Sequence, residues 1–271
     1  MNILVTLNSN YIKPLKVMLK SLFLNNAEER FFIYLMHSSL TAEELDDLSR
    51  YVNSHGSRLE IINIDDSCFS DAPVLLHYTK EMYYRLLAYK FLPENLERIL
   101  YLDPDILVIN PIGELYDMDM EEYLYAAAYH DIVSIKKINK IRLSPYEIDA
   151  YFNSGVLLMN LKLQRMFVDE KSIYEFVEKN HSKLIMPDQD ILNAMYSKQI
   201  KGIDEKLYNY DVRYYRYYKM LSNNIWDMEY VIGNTVILHF CGKKKPWKKD
   251  YSGKFHSLYK HYEKLTFTYK Y

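Results

Sequence analysis

Short apolar runs alternate with helically periodic segments through the first hundred residues. Four runs have the length and apolar content of buried strands: 2–7, 31–36, 58–64 and 98–102. Segments with apolar residues at helical spacing lie between them and predict helices at 15–22, 41–52 and 81–92, the last stopped by Pro93. The second of these opens with Thr41 and, three residues later, Glu44, which is the form of a capping box. This alternation is typical of βαβ units and predicts an α/β fold with an open, mostly parallel sheet.

The second half of the chain is less regular. Its apolar runs predict strands at 124–129, 151–161 and 235–240, and its periodic segments predict helices at 171–179 and 188–196. Asp188 is placed to cap the second of these helices. Residues 132–150 carry several charges without a clean period and predict a loop with some helix. Because no repeat or linker is visible, one domain at 1–250 is predicted, followed by a Lys/Tyr-rich segment at 251–271 that is helical or peripheral.

Two aspartates follow the strand at 98–102, at positions i and i+2. Residues two apart in an extended chain point to the same side, so Asp103 and Asp105 can converge on one point. Carboxylate oxygens suit a hard divalent cation, and such a cation commonly also binds the phosphates of a substrate. The alternative is a plain Asp-Pro-Asp turn, since Asp and Pro are ordinary turn residues. Asn8 and Asn10 follow the first strand and are expected at the same rim of the sheet, where open α/β sheets bind ligands.

Composition narrows the classes of function. The net charge of −2 gives no indication of a nucleic-acid partner. The chain has seven glycines and neither common glycine-rich phosphate motif, so we expect a metal and cationic side chains to hold any phosphate. The two cysteines, Cys68 and Cys241, are far apart, which favours a reducing cytoplasm over a disulfide framework. Neither a signal peptide nor an apolar run of membrane-spanning length is expected.

Five blocks of the sequence, in order, resemble glycosyltransferase family 8, the group that contains the bacterial lipopolysaccharide galactosyl- and glucosyltransferases and glycogenin. The blocks are Tyr84–Leu87, Ile99–Leu107, Tyr151–Leu161, Asp188–Asn193 and His239–Trp247. The resemblance covers most of the chain. It implies a GT-A fold, which is a Rossmann-like, mostly parallel sheet flanked by helices. It also implies transfer of a hexose from UDP-glucose or UDP-galactose with retention of configuration, usually with Mn²⁺.

The resemblance also implies roles for individual residues. Asp103, Asp105 and His239 would bind the cation, and this mixed oxygen and nitrogen set suits Mn²⁺, with Mg²⁺ as an alternative. The residues implied at the UDP-sugar are Thr6, Asn8, Asn10, Arg85, Asp103, Asp105, Asn153, Ser154, Gly155, Asp188, Gln189, Gly242 and Lys245, the last two as phosphate contacts. Asn8 departs from the family, where an aspartate is frequent, and its amide could serve bases other than uracil. Several lysines of 243–249 are expected to form only a solvated turn.

Gln189 matches the residue that lies opposite the leaving group at the anomeric carbon. A carboxamide is a far poorer nucleophile than the carboxylate of a retaining glycosidase, which favours front-face return. In that mechanism Gln189 steadies the oxocarbenium-like centre and the departing phosphate takes the proton of the acceptor. Asp188 would accept hydrogen bonds from sugar hydroxyls. Double displacement with Asp190 or Asp131 as nucleophile is the competing mechanism, and the sequence does not separate the two.

The residues at this site leave the acceptor open. Lipopolysaccharide core, a cell-wall polymer, a protein-linked glycan and a small sugar are all compatible with them. A UDP-sugar hydrolase and a non-catalytic nucleotide-sugar binding protein are the alternative functions. The stretch from Phe255 to Tyr271 predicts a packed terminal helix, although its Lys, Tyr and Phe content also allows contact with an anionic membrane surface on the cytoplasmic side. The sequence does not indicate an oligomeric state.

Overall fold

The computed structural model describes residues 1–65, 69, 72–73, 83–130, 141–146, 148 and 150–267. Its strands, numbered in chain order, are β1 (Asn2–Thr6), β2 (Phe32–His37), β3 (Arg58–Asn63), β4 (Arg98–Leu102), β5 (Ile106–Val108), β6 (Tyr125–Ala128), β7 (Val156–Asn160), β8 (Ile200–Ile203), β9 (Tyr210–Asp211) and β10 (Ile237–His239). Seven of them form the central sheet, in the order β3-β2-β1-β4-β7-β6-β8. The other three form a small sheet in the order β5-β10-β9.

The central sheet is mostly parallel, as the sequence predicts. Strands β3, β2, β1 and β4 pair in parallel, and so do β6 and β8. Strand β7 is inserted antiparallel to both of its neighbours, with Val156 opposite Leu102. This reversal brings the residues before β7 beside the carboxyl end of β4, so that the N–H of Asp103 donates to the carbonyl of Gly155 at 2.8 Å.

The helices of the described residues are α1 (Ile12–Leu24), α2 (Ala42–Asn53), α3 (Gly113–Tyr116), α4 (Leu161–Phe167), α5 (Glu170–Asn180), α6 (Pro187–Tyr196), α7 (Glu205–Tyr208), α8 (Tyr215–Leu221), α9 (Met228–Asn234) and α10 (His256–Thr266). The predicted capping box of α2 is confirmed. The backbone N–H of Glu44 donates to Oγ1 of Thr41, and the Thr41 N–H donates to the Glu44 carboxylate. Two donors at the start of the helix are thereby satisfied.

Both faces of the central sheet are buried, which explains why its strands are almost continuously apolar. In β1, Ile3 and Val5 face a core built with α1 and α2, whereas Leu4 faces a second core built with α4, α5 and α6. At the far end of the chain, α10 packs on α1, and Nδ2 of Asn25 donates to the hydroxyl of Tyr262 at 2.8 Å. None of the helices in the described parts is long and apolar enough to cross a membrane.

Two expectations from the sequence are wrong. The helix predicted at 81–92 begins outside the described residues, and residues 83–92 form turns with a 3₁₀ helix at Ala88–Lys90. Five neighbouring side chains there are buried on every side, a burial pattern that an amphipathic helix does not produce: Tyr83, Tyr84, Leu86, Leu87 and Ala88. Asp188 does not cap α6, because Met186 occupies the cap position and Pro187 begins the helix. Most of the loop predicted at 132–150 lies outside the described residues.

Candidate active site

Asp103, Asp105 and His239 form a cluster where the two sheets meet. Asp103 follows β4, Asp105 precedes β5, and His239 ends β10, where it lies opposite Ile106 in the antiparallel pair. One potential ligand atom from each of the three residues lies within 4.8 Å of the others. Nε2 of His239 is 3.3 Å from Oδ1 of Asp105 and 3.9 Å from Oδ2 of Asp103. Two carboxylates and an imidazole at this spacing could hold a divalent cation.

Electrostatics keep Asp105 ionised, as a cation ligand must be. Burial alone would raise the pKa of this carboxyl, because burial disfavours its charge. His239 and Lys245 outweigh that effect and lower the pKa of Asp105 well below its usual range. Lys245 contacts Oδ2 of Asp105 and donates to the carbonyl of Phe240 at 3.0 Å. Asp105 is therefore a carboxylate at neutral pH.

Asn209, which the sequence did not point to, orients the imidazole. Its Oδ1 lies 2.8 Å from Nδ1 of His239, so Nδ1 donates to it and Nε2 is directed towards the two carboxylates. Nδ2 of Asn209 donates to Oδ1 of Asn153 at 2.9 Å, and Nδ2 of Asn153 donates to Oε1 of Gln189 at 3.3 Å. One chain of hydrogen bonds thus links the candidate cation ligand to Gln189.

Gly155 allows this approach because it has no side chain. A Cβ at this position would lie 2.4 Å from Cε1 of His239 and 2.6 Å from Oδ2 of Asp103, closer than real Cβ contacts come. The N–H of Gly155 donates to Oδ1 of Asn153 at 2.9 Å. Gly155 therefore contributes only its backbone to the site. Any larger residue would push His239 and Asp103 apart.

Arg85 joins the cluster to the residues at the start of α6. Its Nη2 lies 3.2 Å from Oδ1 of Asp103, and its Nη1 lies 3.1 Å from Oδ2 of Asp188. Nη1 also donates to the carbonyl of Ser154 at 3.0 Å, and the guanidinium lies over the ring of Tyr101. The Tyr101 hydroxyl donates to Oδ1 of Asp103 at 2.6 Å. These contacts fix Asp103 and Asp188 at opposite ends of one guanidinium.

Two adjoining cavities open over these residues. The first, of about 350 Å³, has Thr6, Asn8 and Tyr11 in its lining together with the charged residues of the cluster. The second, which we call the reaction cavity, measures about 430 Å³. The predicted site residues that line the reaction cavity are Arg85, Asp103, Asp105, Asn153, Ser154, Gly155, Asp188, Gln189, His239, Gly242 and Lys245. Asn10, the remaining residue predicted at the UDP-sugar, is exposed in the turn after β1 and lines neither cavity. Its backbone N–H donates to Oδ1 of Asn8.

Asp190 lies apart from the reaction cavity. It is fully buried, and its Oδ1 accepts hydrogen bonds from Nη2 of Arg142 and the hydroxyl of Tyr151, both at 2.5 Å. Its Oδ2 accepts from the backbone N–H groups of Ile185 and Met186. These four hydrogen bonds fix the backbone of the segment that leads into α6. Asp131, the other candidate nucleophile, lies outside the described residues.

His130 forms a second charged cluster in the wall of the reaction cavity. Its Nδ1 lies 2.5 Å from Oε2 of Glu205, and its Nε2 lies 3.5 Å from Oδ2 of Asp211. Burial opposes a charge on the ring, but hydrogen bonds to Asp211 and Glu205 raise the pKa of His130 to about 9. Asp211 also binds Arg213, with Nε at 2.9 Å and Nη2 at 2.6 Å. His130 is therefore an imidazolium at neutral pH.

Some residues of the site were missed in the sequence analysis, and only a few of these could have been found from the sequence. Tyr101 lies two positions before Asp103, so strand periodicity places both side chains on one face. Tyr11 directly follows the predicted site residue Asn10, but Asn209 lies between α7 and β9 with no motif around it. Cys241 has a free thiol beside His239, and Cys68 lies outside the described residues.

Comparisons with known proteins identify the family of this chain. The sequence model described as Glycosyl transferase family 8 matches residues 2–251. General stress protein A of Bacillus subtilis is 26% identical over 272 residues, covering 98% of this chain and 94% of that protein. A lipopolysaccharide 1,2-glucosyltransferase of Escherichia coli is 27% identical over 250 residues, covering 89% of this chain and 71% of that protein.

A solved structure confirms the predicted fold class. The galactosyltransferase LgtC, solved in complex with donor and acceptor sugar analogs, matches with a TM-score of 0.82 at 23% identity. The match covers 98% of this chain and 96% of that chain, so the GT-A fold extends over almost the whole molecule. Together with the family match, it confirms the family that the five sequence blocks indicated. The chain belongs to glycosyltransferase family 8.

Proposed function

We propose that this protein transfers a hexose, glucose or galactose, from a UDP-sugar to a saccharide acceptor with retention of configuration. The observation that carries the proposal is the convergence of Asp103, Asp105 and His239 with Asp188 and Gln189 around the reaction cavity. Family membership supports glycosyl transfer. The names of similar proteins, a glucosyltransferase and a galactosyltransferase, support a hexose as the transferred group.

The reaction is proposed to need a divalent cation, Mn²⁺ or Mg²⁺, held by Asp103, Asp105 and His239. The donor set fits such an ion, since two carboxyl groups face an imidazole nitrogen and Gly155 leaves the space between them clear. When bound, the cation supplies Lewis acidity that offsets charge on the departing diphosphate. Lys245, beside Asp105, would add its positive charge to the same diphosphate.

The nucleoside is assigned to the cavity of about 350 Å³ beside the cluster. Oδ1 of Asn8, which accepts a hydrogen bond from the N–H of Asn10, faces the turn and can also accept from a base. Tyr11 offers an aromatic ring in the same lining, where its edge-on contact with Trp247 at 5.8 Å holds it. Uridine recognition is therefore proposed to combine one amide group with one ring.

Gln189 is proposed to face the anomeric carbon and Asp188 to accept hydrogen bonds from the sugar hydroxyls. Oε1 of Gln189 accepts from the N–H of Ser154 and from Nδ2 of Asn153, both at 3.3 Å. Both bonds are long and therefore weak, so the oxygen can turn towards developing positive charge. The buried position of Asp190 supports a positioning role for it, which favours front-face return over double displacement by Asp190.

The test follows the anomeric proton by NMR with UDP-glucose or UDP-galactose in Mg²⁺ buffer, with and without a panel of sugar acceptors. Chelator-sensitive consumption of one donor, with an α-configured product, is the expected result. A β-configured product would overturn retention. Consumption that ignores the acceptor would indicate a hydrolase, and UDP binding without consumption would indicate a nucleotide-sugar binding protein.

The division of the chain at residue 250 stays a prediction. Helix α10 packs on the body of the protein through Tyr259 and Tyr262, which supports a packed terminal helix for that segment. We propose in addition that the segment at 251–271 contacts the cytoplasmic face of an anionic membrane while α10 stays packed on the protein. Sedimentation with anionic and neutral vesicles tests it, and equal recovery with both would remove it.

A further inference from the structure

A third cavity, of about 540 Å³, lies beside the reaction cavity, and we call it the basic cavity. Five cationic side chains line it: Arg213, Arg216, Lys243, Lys244 and Lys254. Among the residues that the structure describes, its lining contains no aspartate or glutamate. The protein as a whole has a net charge of −2, so this concentration of positive charge is local. A concave surface lined by one sign of charge attracts ligands of the opposite sign.

Most of this charge is uncompensated. Arg213 binds Asp211, and Lys254 lies over the ring of Tyr215, 5.8 Å from its centre. By contrast, Arg216, Lys243 and Lys244 form no ion pair with any residue in the described ranges. Leaving like charges together costs free energy unless a ligand or solvent neutralises them. Arg216, Lys243 and Lys244 are exposed, so solvent screens their charge and they remain available to an anionic ligand.

The basic cavity is continuous with the place where the reaction is proposed to occur. Arg213, Cys241 and Gly242 line both the basic cavity and the reaction cavity. Gly242 has a φ of +86°, and a Cβ there would lie 2.8 Å from Nη1 of Arg213. The glycine thus lets the guanidinium reach the boundary between the two cavities. A single ligand can extend from Gln189 in one cavity to the cations in the other.

The donor does not account for these cations. In the proposed function the diphosphate is bound by the cation ligands and Lys245, none of which lines the basic cavity, and of the predicted phosphate contacts only Gly242, which has no side chain, reaches the boundary between the two. The transferred hexose is neutral. The acceptor is the remaining substrate that could carry the negative charge. The lining beside the cations suits the rings and hydroxyls of a saccharide, because it contains Tyr215, Tyr251 and Ser252.

We propose that the acceptor is an anionic saccharide, and that the basic cavity binds a phosphate or carboxylate group on it away from the hydroxyl that receives the hexose. This inference rests on the proposed transferase function and names the class of acceptor. Arg216 and Lys244 supply charge-assisted hydrogen bonds to the anion, and Arg213 holds the part of the acceptor nearest the reaction cavity. Phosphate and carboxylate share this recognition chemistry, and the experiment separates them.

The experiment measures binding of three probes to the full chain saturated with UDP and Mg²⁺: galactose, galactose 6-phosphate and galacturonate. We expect the two anionic sugars to bind at least about 10-fold more tightly than galactose, with a preference that weakens as salt is added. The tighter of the two anions identifies the group. Equal affinity for all three probes would overturn the proposal.

Paired variants locate the effect. The double variant Arg216→Gln/Lys244→Gln should bind the anionic sugars about 10-fold more weakly and galactose unchanged. Its matched control is Lys248→Gln/Lys249→Gln, which removes the same charge from exposed side chains outside the basic cavity and should keep the preference. An equal loss in both pairs would assign the effect to the general field of the protein and overturn the site.

Donor consumption is measured on the same preparations, so the two proposals can fail separately. A charge preference without consumption of UDP-glucose or UDP-galactose would contradict the transfer reaction and leave the anion site standing. Consumption with a neutral acceptor preferred over its phosphorylated form would contradict the anionic acceptor and leave the transferase standing.

Discussion

The reaction cavity and the basic cavity treat charge in opposite ways. In the reaction cavity, cations and carboxylates are matched, with Lys245 on Asp105 and Arg85 bridging two further carboxylates. In the basic cavity, Arg216 and Lys244 have no carboxylate partner among the described residues. A matched buried network holds its members in fixed positions, which suits chemistry. An unmatched group of cations stays solvated until an anion arrives, which suits recognition.

Asp105→Asn removes one of the paired charges of the reaction cavity and should have the largest effect on activity. It takes away a candidate cation ligand and leaves Lys245 and His239 without their shared carboxylate. We expect metal-dependent donor consumption to fall by at least about 100-fold. The measurement is the rate of UDP release from the donor, with circular dichroism to establish that the variant is folded. Full activity in a folded variant would remove the proposed site.

Gly155→Ala leaves every charge in place and tests whether the spacing between His239 and Asp103 matters. The added methyl group would meet Cε1 of His239 and Oδ2 of Asp103, so these must move apart. We expect a loss of cation affinity of about 10-fold or more, with destabilisation of roughly 1–3 kcal/mol. Titration with Mn²⁺, followed by calorimetry and by thermal unfolding, measures both quantities.

The matched control for that variant is Gly233→Ala. Gly233 lies in α9 with nothing within 4 Å of an added Cβ, and alanine has the higher helix propensity. We expect unchanged cation affinity and slightly higher stability in this control. If both variants lose cation affinity to the same degree, the close approach at Gly155 is not what matters.

Asn209→Ala and Asn209→Asp separate the two contacts of one side chain. Alanine removes both the acceptor for Nδ1 of His239 and the donor to Asn153, and we expect cation affinity to fall by about 10–100-fold. Aspartate keeps the acceptor but not the donor, so cation affinity should recover while turnover stays reduced. Measuring the Kd for Mn²⁺ beside kcat distinguishes the contacts. Equal losses of affinity in both variants would contradict the orienting role of Asn209.

The last prediction concerns pH and His130. Because the pKa of this imidazole is raised from 6.5 to about 9, its stabilising contribution is complete below the lower value and is lost as pH rises through the higher one. His130→Gln should remove that pH dependence. The stability difference between wild type and variant should shrink by roughly 1–3 kcal/mol from about pH 6 to about pH 10. Urea unfolding measures it, with exposed His181→Gln as the control.

The sequence predicted six of the seven strands of the central sheet, all but β8, because its information there is local. Apolar runs of strand length, and Asp103 and Asp105 directly behind one of them, are properties of a few consecutive residues. The sequence failed where long-range packing overrides local pattern. Residues 83–92 have helical spacing, yet burial on all sides gives turns. Asn209 serves His239 across the fold, and no periodicity could indicate that contact.

The lysine-rich turn after β10 illustrates the same limit at the candidate site. Composition alone predicted that several lysines of 243–249 are simply solvated. The structure places Lys243 and Lys244 in the lining of the basic cavity, and Lys245 forms an ion pair with Asp105. Lys248 and Lys249 line neither the basic cavity nor the reaction cavity. Neighbouring lysines are chemically identical, so only the path of the backbone distinguishes them. The positive φ at Gly242 helps to set that path.

The pairing of β5 with β10 has a consequence for how the protein matures. His239 comes beside Asp105 only when β10, near the end of the chain, pairs antiparallel with β5. A growing chain on the ribosome therefore carries both aspartates long before it has the imidazole, and contacts between such distant segments form slowly. The proposed cation needs the joined strands, so its binding would add its free energy to folding at that step. A fluorescent or paramagnetic ion would report the completion of folding as much as readiness for catalysis.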